Sequence, residues 1–222
     1  AMIKGAMDEL RVGDPWSLST DVGPVIDDEA RQGIETYAEA NAARVLHRVW
    51  APRNGHFIAP LLLKVDGIND LDREGFGPVL HVATFRADQL DRVVADINAR
   101  GYGLTFGLHT RIDSRVQEVS EAIHAGNIYV NRNQIGAVVG SQPFGGEGLS
   151  GTGPKAGGPL YLARFYAPEP VAAGGEWAKH ADSRVLSKAV AAVAETPVSE
   201  QIMPGPTGEL NRLTILPRSA VL

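Results

Sequence analysis

An α/β fold, with a mainly parallel sheet flanked by helices, is what the sequence predicts, on three observations. Apolar runs of strand length, "PVLHVATF", "LTFGLHT" and "NIYV", recur along the chain. The segments between them, "DQLDRVVADINARG" and "DSRVQEVSEAIHAG", space their apolar residues for one buried face and stop at Gly101 and Gly126. Strand, helix, strand, helix, strand in that order requires right-handed crossovers, with the three strands as parallel neighbours.

The elements follow in order. "AMIKGAMDEL" is helical from the first residues. Residues 27–43 form a second helix, because Asp27 can cap it, Asp28 and Glu29 suit the positive end of its dipole, and Ala30, Ile34, Tyr37 and Ala38 share a face. "RVLHRVW" and "FIAPLLLKV" make a strand pair. The next helix carries the stripe Leu90, Val93, Val94 and Ile97, and the one after it Val116, Val119 and Ile123. "LYLARFYAPEP" alternates as a strand with Tyr161 and Phe165 near its ends, until Pro168 and Pro170 stop it. "VAAGG" is a linker, which puts a boundary near residue 172 and divides the chain into 1–172 and 173–222. Beyond it, "DSRVLSKAVAAVAET" is a helix stopped by Pro197, "PGPTGE" a turn and "LTIL" a strand. The first residues are already helical and the last, Val221 and Leu222, are strand-like, so both ends look cut.

Composition narrows the function. The 222 residues, 44% hydrophobic, are enough for a real core. A net charge of -5 and a pI near 5.7, with no block of basic residues, argue against nucleic acid or anionic membrane as main partner. No apolar run approaches the length of a membrane span and no basic-then-apolar leader opens the chain, so a cytoplasmic location is expected. The absence of cysteine removes disulfides, thiolate metal sites and thiol nucleophiles together. His47, His56, His81, His109, His124 and His180 are scattered without the spacing of a helical metal site, and read as structural; no metal is expected. No serine sits in a nucleophile motif.

The densest signal is "GSQPFGGEGLSGTGPKAGG", with eight glycines. Gly146, Gly148 and Gly151 have the spacing of a dinucleotide fingerprint. That pattern holds a pyrophosphate only where it opens a helix, and Pro154, Gly157, Gly158 and Pro159 break any helix here. These glycines serve something else.

"DREGFGPVLHV", "GNIYVNRNQIGAVVGSQPFGGEGLSGTGPKAGGP" and "PGPTGELNRLTILPR" together resemble the L-glutamate-γ-semialdehyde dehydrogenase region of the bacterial proline utilization A family, within the aldehyde dehydrogenase superfamily. The resemblance covers nearly the whole chain. It implies a partial aldehyde dehydrogenase catalytic domain over 1–172. After that come a helical linker and the start of a further C-terminal domain over 173–222.

Read alone, Glu74 is a solvated acid in a turn. The resemblance assigns it to the hydroxyls of the nicotinamide ribose of NAD, with Phe76 beside the nicotinamide and Gly75 and Gly77 allowing close approach of the backbone. It also assigns Gly136 and Ala137 to an aldehyde anchor, where backbone amides hold the substrate's α-carboxylate, and Phe144 to an aromatic wall beside its aliphatic part. FAD would belong only to an upstream proline dehydrogenase domain of a parent chain. The strand at Tyr161 and Phe165 matches an oligomerisation flap that crosses to another subunit, so a homo-oligomer is expected; the alternative is that this strand folds back on its own subunit.

The reaction of the family needs a cysteine thiolate and a glutamate that activates water, and both belong to sequence preceding this chain. Ser150 and Lys155 are no substitutes, since an unactivated alcohol is a poor nucleophile. No catalytic residue is therefore assigned here, and the chain alone is expected to be inactive. Two functions remain open: part of an NAD-dependent dehydrogenase acting on a small-molecule aldehyde, or a non-catalytic assembly module. The intact "EGFGPV" and "IGAVVGSQPFGG" favour the first.

Overall fold

The computed structural model describes residues 1–166, 182–192 and 198–217. It divides into two compact units, Ala1–Arg100 and Gly101–Leu222. The boundary expected near residue 172 and the linker beside it lie outside the described residues.

The first unit opens with α1 (Met2–Asp8), which buries Met7. α2 (Asp28–Ala40) begins where the Asp27 carboxylate accepts a hydrogen bond from the Ala30 amide at 2.8 Å. It ends three residues before the expected limit, in a 3-10 turn over Ala42–Arg44. Ile34 and Ala38 form its buried stripe, while Arg31 on the outer face pairs with Asp28 and Glu35, each at 2.7 Å.

A three-stranded sheet follows, built from β1 (Val45–Arg48), β2 (Leu61–Lys64) and β3 (Val79–Val82) in that order. β1 and β2 are antiparallel, and β2 and β3 parallel. β2 is flanked on both edges, and Leu61, Leu62 and Leu63 are all buried. This explains why they read as a continuous apolar run rather than an alternation. Leu61 and Leu63 meet Ala38 of α2, with Tyr37, Val45 and Val79 closing the cluster. Each leucine so buried contributes roughly 2 kcal/mol. β3 therefore takes its parallel partner from β2 rather than from the strand at "LTFGLHT". α3 (Leu90–Ala99) completes the unit, and its stripe buries Val94.

The second unit contains β4 (Tyr102–Gly103), β5 (Thr105–Leu108), α4 (Asp113–Ala122), β6 (Asn127–Val130) and β7 (Glu147–Gly148). β5 and β6 pair in parallel, joined by the crossover helix α4, as expected for a strand, helix, strand unit. Val119 and Ile123 are buried at the end of the crossover and Tyr129 on β6. β4 pairs antiparallel with β7, which folds the glycine-rich segment back onto the end of the sheet.

The segment expected as a strand at Tyr161 and Phe165 is instead a 3-10 helix, Leu162–Phe165. Its amides are satisfied locally, by Tyr161 N to Gly158 O and Arg164 N to Tyr161 O, both 3.1 Å, and Tyr161 and Phe165 meet edge to face at 5.7 Å. Alternation alone does not make a strand: here local hydrogen bonds take backbone groups that a strand would offer to a ladder. α5 (Ser183–Ala192) matches the expected helix, although its proposed stop at Pro197 lies outside the described residues. "LTIL" belongs to β9 (Asn211–Ile215), which pairs antiparallel with β8 (Ser199–Met203) across the "PGPTGE" turn.

Candidate active-site loop

Glu74 and Phe76 lie in the first unit, in the turn that leads into β3. Both are exposed, Phe76 by 78%. A Cβ added at Gly75 would meet nothing within 4 Å, so the backbone between the two is open. Gly77 differs: a Cβ there would overlap Ile34 Cδ1 of α2. Its smallness makes room for the Ile34 side chain of α2.

Gly136 and Ala137 lie in the second unit, in the loop that leaves β6. Asn131 starts the turn with a φ of 56° and locks it by a reciprocal pair of 2.9 Å hydrogen bonds between its side-chain amide and the Thr110 backbone. Gly136 has a φ of 70° and no neighbour where a Cβ would be. On either side the backbone is satisfied: the Ile135 amide donates to Asn133 Oδ1 and the Val138 amide to Gln142 Oε1, both 3.2 Å. Among the described residues, the amides of Gly136 and Ala137 have no acceptor. Adjacent free N–H groups beside a left-handed residue are the backbone chemistry of anion-binding concavities.

The loop is held by one face of β6. Side chains two apart on a strand share a face, and Asn127 and Tyr129 are such a pair. The Tyr129 hydroxyl donates to the Gly136 carbonyl at 3.1 Å. Asn127 Nδ2 donates to the Pro143 carbonyl at 2.9 Å, and its Oδ1 accepts from the Gly145 amide at 3.1 Å. Phe144 is thus gripped on both flanks. Its own backbone exchanges two hydrogen bonds with Ala156, at 3.0 and 2.8 Å, and with Pro154, Tyr161 and Phe165 it lines an open cleft of about 390 Å³.

The later glycines bring backbone onto backbone. A Cβ on Gly126 would overlap the Gly145 carbonyl, so only glycine permits that contact. Lys155 reaches into the same place. Its ammonium donates to the Gly126 carbonyl, to the Gly145 carbonyl at 2.7 Å and to Asn127 Oδ1 at 3.2 Å. Burial pushes its pKa down, and the nearby Glu147 carboxylate opposes the shift. Ser150 Oγ accepts from the Gly103 amide at 3.2 Å. Both residues weighed as nucleophiles are therefore structural ties.

Four residues of this site went unnoticed in the sequence, Asn127, Tyr129, Gln142 and Glu209, and only Tyr129 carries any local signal. Gln142 is buried and donates to Glu209 Oε1 at 2.7 Å. A lone asparagine, glutamine or glutamate announces nothing at sequence level; only the buried, strand-alternate position of Tyr129 hints at a hydroxyl seeking a partner. Among the described residues no cluster of histidine and carboxylate side chains could hold a metal.

Residues 1–170 match the aldehyde dehydrogenase family model. Over its whole length the chain is similar, at 43% identity, to the bifunctional protein PutA of Klebsiella aerogenes, of which it covers 20%. It is 38% identical over 161 residues to 1-pyrroline-5-carboxylate dehydrogenase 1 of Halalkalibacterium halodurans, covering 69% of this chain and 30% of that one. A crystal structure of a Bradyrhizobium japonicum proline utilization A (PutA) mutant superposes with a TM-score of 0.71 at 51% identity, over 74% of this chain and 17% of that one. The chain thus spans about a fifth of the length of the PutA relatives. A crossover unit whose second strand grips a glycine-rich loop, together with a family match over most of the residues, places the chain in the aldehyde dehydrogenase family.

Proposed function

We propose that this chain is part of an NAD-dependent aldehyde dehydrogenase that oxidises L-glutamate γ-semialdehyde to glutamate, and that it carries the carboxylate-binding side of the aldehyde pocket. The observation that carries this reading is the pair of amides at Gly136 and Ala137, without acceptors among the described residues and beside an open left-handed glycine. A substrate bearing an α-carboxylate supplies two oxygens to accept from them. The similarity to a 1-pyrroline-5-carboxylate dehydrogenase supports that substrate class.

Each residue has a part in the proposal. Gly136 and Ala137 donate to the α-carboxylate, and Phe144 packs on the aliphatic portion. Glu74 accepts from the ribose hydroxyls of NAD and Phe76 lies beside the nicotinamide. Bound NAD would supply the hydride acceptor. The cysteine thiolate must come from outside these residues, since the chain has no cysteine, and the proposal assigns the water-activating glutamate to the same outside sequence. A cytoplasmic location belongs to the same proposal.

Self-association is also part of it, without the strand first expected. Leu160, Leu162, Phe165 and Tyr166 are all more than half exposed around the 3-10 helix, an apolar surface suited to a second copy. Light scattering at tens of micromolar tests this, and a monomer would remove it from the proposal.

The central experiment titrates L-glutamate into the 15N-labelled chain and follows amide resonances. Shifts concentrated at Gly136 and Ala137, absent with n-butylamine, are expected. Shifts elsewhere only, or none at tens of millimolar, would sink the anchor. The same sample should show no NAD reduction with any aldehyde, and turnover above buffer would refute the assignment of the nucleophile to other sequence.

A further inference from the structure

We infer that Glu209, in the turn between β8 and β9, is a positioning residue for the Gly136 and Ala137 amides, so that the C-terminal hairpin sets the shape of the aldehyde-binding loop. The inference rests on the anchor reading above and deepens it. One carboxylate oxygen does the work: Glu209 Oε1 accepts from Gln142 Nε2 at 2.7 Å and from Arg132 Nη1 at 3.1 Å. Arg132 and Gln142 bracket the loop. A single atom of the hairpin therefore closes residues 132–142 into a ring.

Each arm of that ring leads to the anchor. Gln142 is 8% exposed, and its Oε1 accepts from the Val138 amide, next to Ala137, at 3.2 Å. Which way the Gln142 amide faces is decided by its Nε2 donors' partners, Glu209 Oε1 and, at 3.3 Å, Asn211 Oδ1 of β9. With acceptors on that side, only the oxygen can face Val138. On the other arm, the Arg132 guanidinium lies over the Tyr129 ring, 5.3 Å from its centre, and the Tyr129 hydroxyl holds the Gly136 carbonyl. The Gly136 carbonyl shares its peptide unit with the Ala137 N–H, and the Val138 amide belongs to the next unit, so the two hydrogen bonds orient the Ala137 amide from within its own peptide and from the following one.

Charge gives the carboxylate a second task. Arg132 is a cation only a few residues from amides that would receive an anion. Its side chain is 32% exposed while paired with Glu209, itself 29% exposed. Glu209 engages Nη1 of the guanidinium and offsets its charge, which lessens the pull of Arg132 on an incoming carboxylate relative to the amides of Gly136 and Ala137. The hairpin thus contributes selectivity for binding mode as well as loop shape.

The test compares the chain with its Glu209→Ala and Glu209→Gln variants. Two readouts are taken: hydrogen exchange at the Val138 amide, and L-glutamate titration followed at Gly136 and Ala137. Glu209→Ala should speed Val138 exchange by roughly fivefold or more, as expected for loss of one orienting hydrogen bond, and weaken glutamate binding, while amides of β5 and β6 keep their protection. Glu209→Gln retains an acceptor for Gln142 and should recover most of the exchange protection. The double variant with Arg132→Ala should be non-additive. Unchanged Val138 exchange in Glu209→Ala, with the amides of β5 and β6 still protected, overturns the inference. Altered Val138 exchange in a chain whose Gly136 and Ala137 never respond to glutamate refutes the anchor reading and leaves Glu209 as a loop clamp. Glutamate binding that is unaffected by either variant refutes the positioning role of Glu209 and leaves the anchor.

Discussion

The Tyr129 hydroxyl donates to the Gly136 carbonyl across 3.1 Å, joining a buried ring of β6 to a left-handed glycine with open space beside it. Phenylalanine at 129 would keep the ring and its face toward Arg132 but could not donate. Tyr129→Phe should lower unfolding stability by about 1 kcal/mol and broaden the Gly136 and Ala137 resonances. A denaturant midpoint and an amide spectrum both identical to those of the unaltered chain would show the tether to be idle.

Lys155 should matter more. Lys155→Met removes the donor that serves the Gly126 and Gly145 carbonyls and should cost about 2 kcal/mol or more, since buried acceptors without donors are expensive. The pH dependence has a definite sign. Burial places the folded pKa below the ordinary 10.5, so between the two values the unfolded chain holds more protons. Stability relative to the methionine variant should therefore rise as pH increases through that window. A difference that falls, or stays flat up to pH 10.5, contradicts it.

His81 gives the acid-side counterpart. Its Nε2 meets the Tyr37 hydroxyl at 2.8 Å, and burial lowers its pKa below 6.5. The unfolded chain then takes up protons first as pH drops. The stability that His81 contributes is complete above 6.5 and is lost as pH falls through the folded value. Chemical denaturation at pH 7.5 and pH 5 should show a steeper loss for the unaltered chain than for His81→Gln; equal slopes would dismiss the group.

Gly75 and Gly77, two residues apart, should behave oppositely. Gly77→Ala meets the Ile34 methyl and should destabilise by about 1–2 kcal/mol. Gly75→Ala enters open space and should leave the melting temperature within a degree, while weakening NAD contact if the backbone there lies on the cofactor. Comparable melting losses in both would mean that Gly75 too is a packing position.

Much of the fold was legible because periodicity reports burial directly. Ile34 and Ala38 on α2, Val94 on α3 and Val119 on α4 are buried where their spacing placed them, and Asp27 caps α2. What failed to show was decided by pairing. β8 reads "SEQIM", four of its five residues are exposed, and it exists because β9 offers a ladder. The reverse happened at Tyr161 and Phe165, where alternation was present and the ladder was not. In the site, the glycine-rich stretch stood out by composition, while Gly136 and Ala137 were marked only by the resemblance to the family. Asn127, Gln142 and Glu209 did not, because all their partners but the Val138 amide lie 16 to 77 residues away and a polar side chain gains meaning only from the group that folding brings to it.

The grip of β6 on its loop has a kinetic corollary. Asn127 and Tyr129 face the loop only while Asn127 stands opposite Thr105 and Tyr129 opposite Gly107. A slip of one residue would turn both side chains to the other face of the sheet, releasing Gly136, Pro143 and Gly145 in one step. Mispaired folding intermediates therefore cannot present a half-formed pocket. The capacity to hold a carboxylate switches on with correct strand alignment, so ligand binding at this loop doubles as an assay of whether the β5–β6 pair has found its native register.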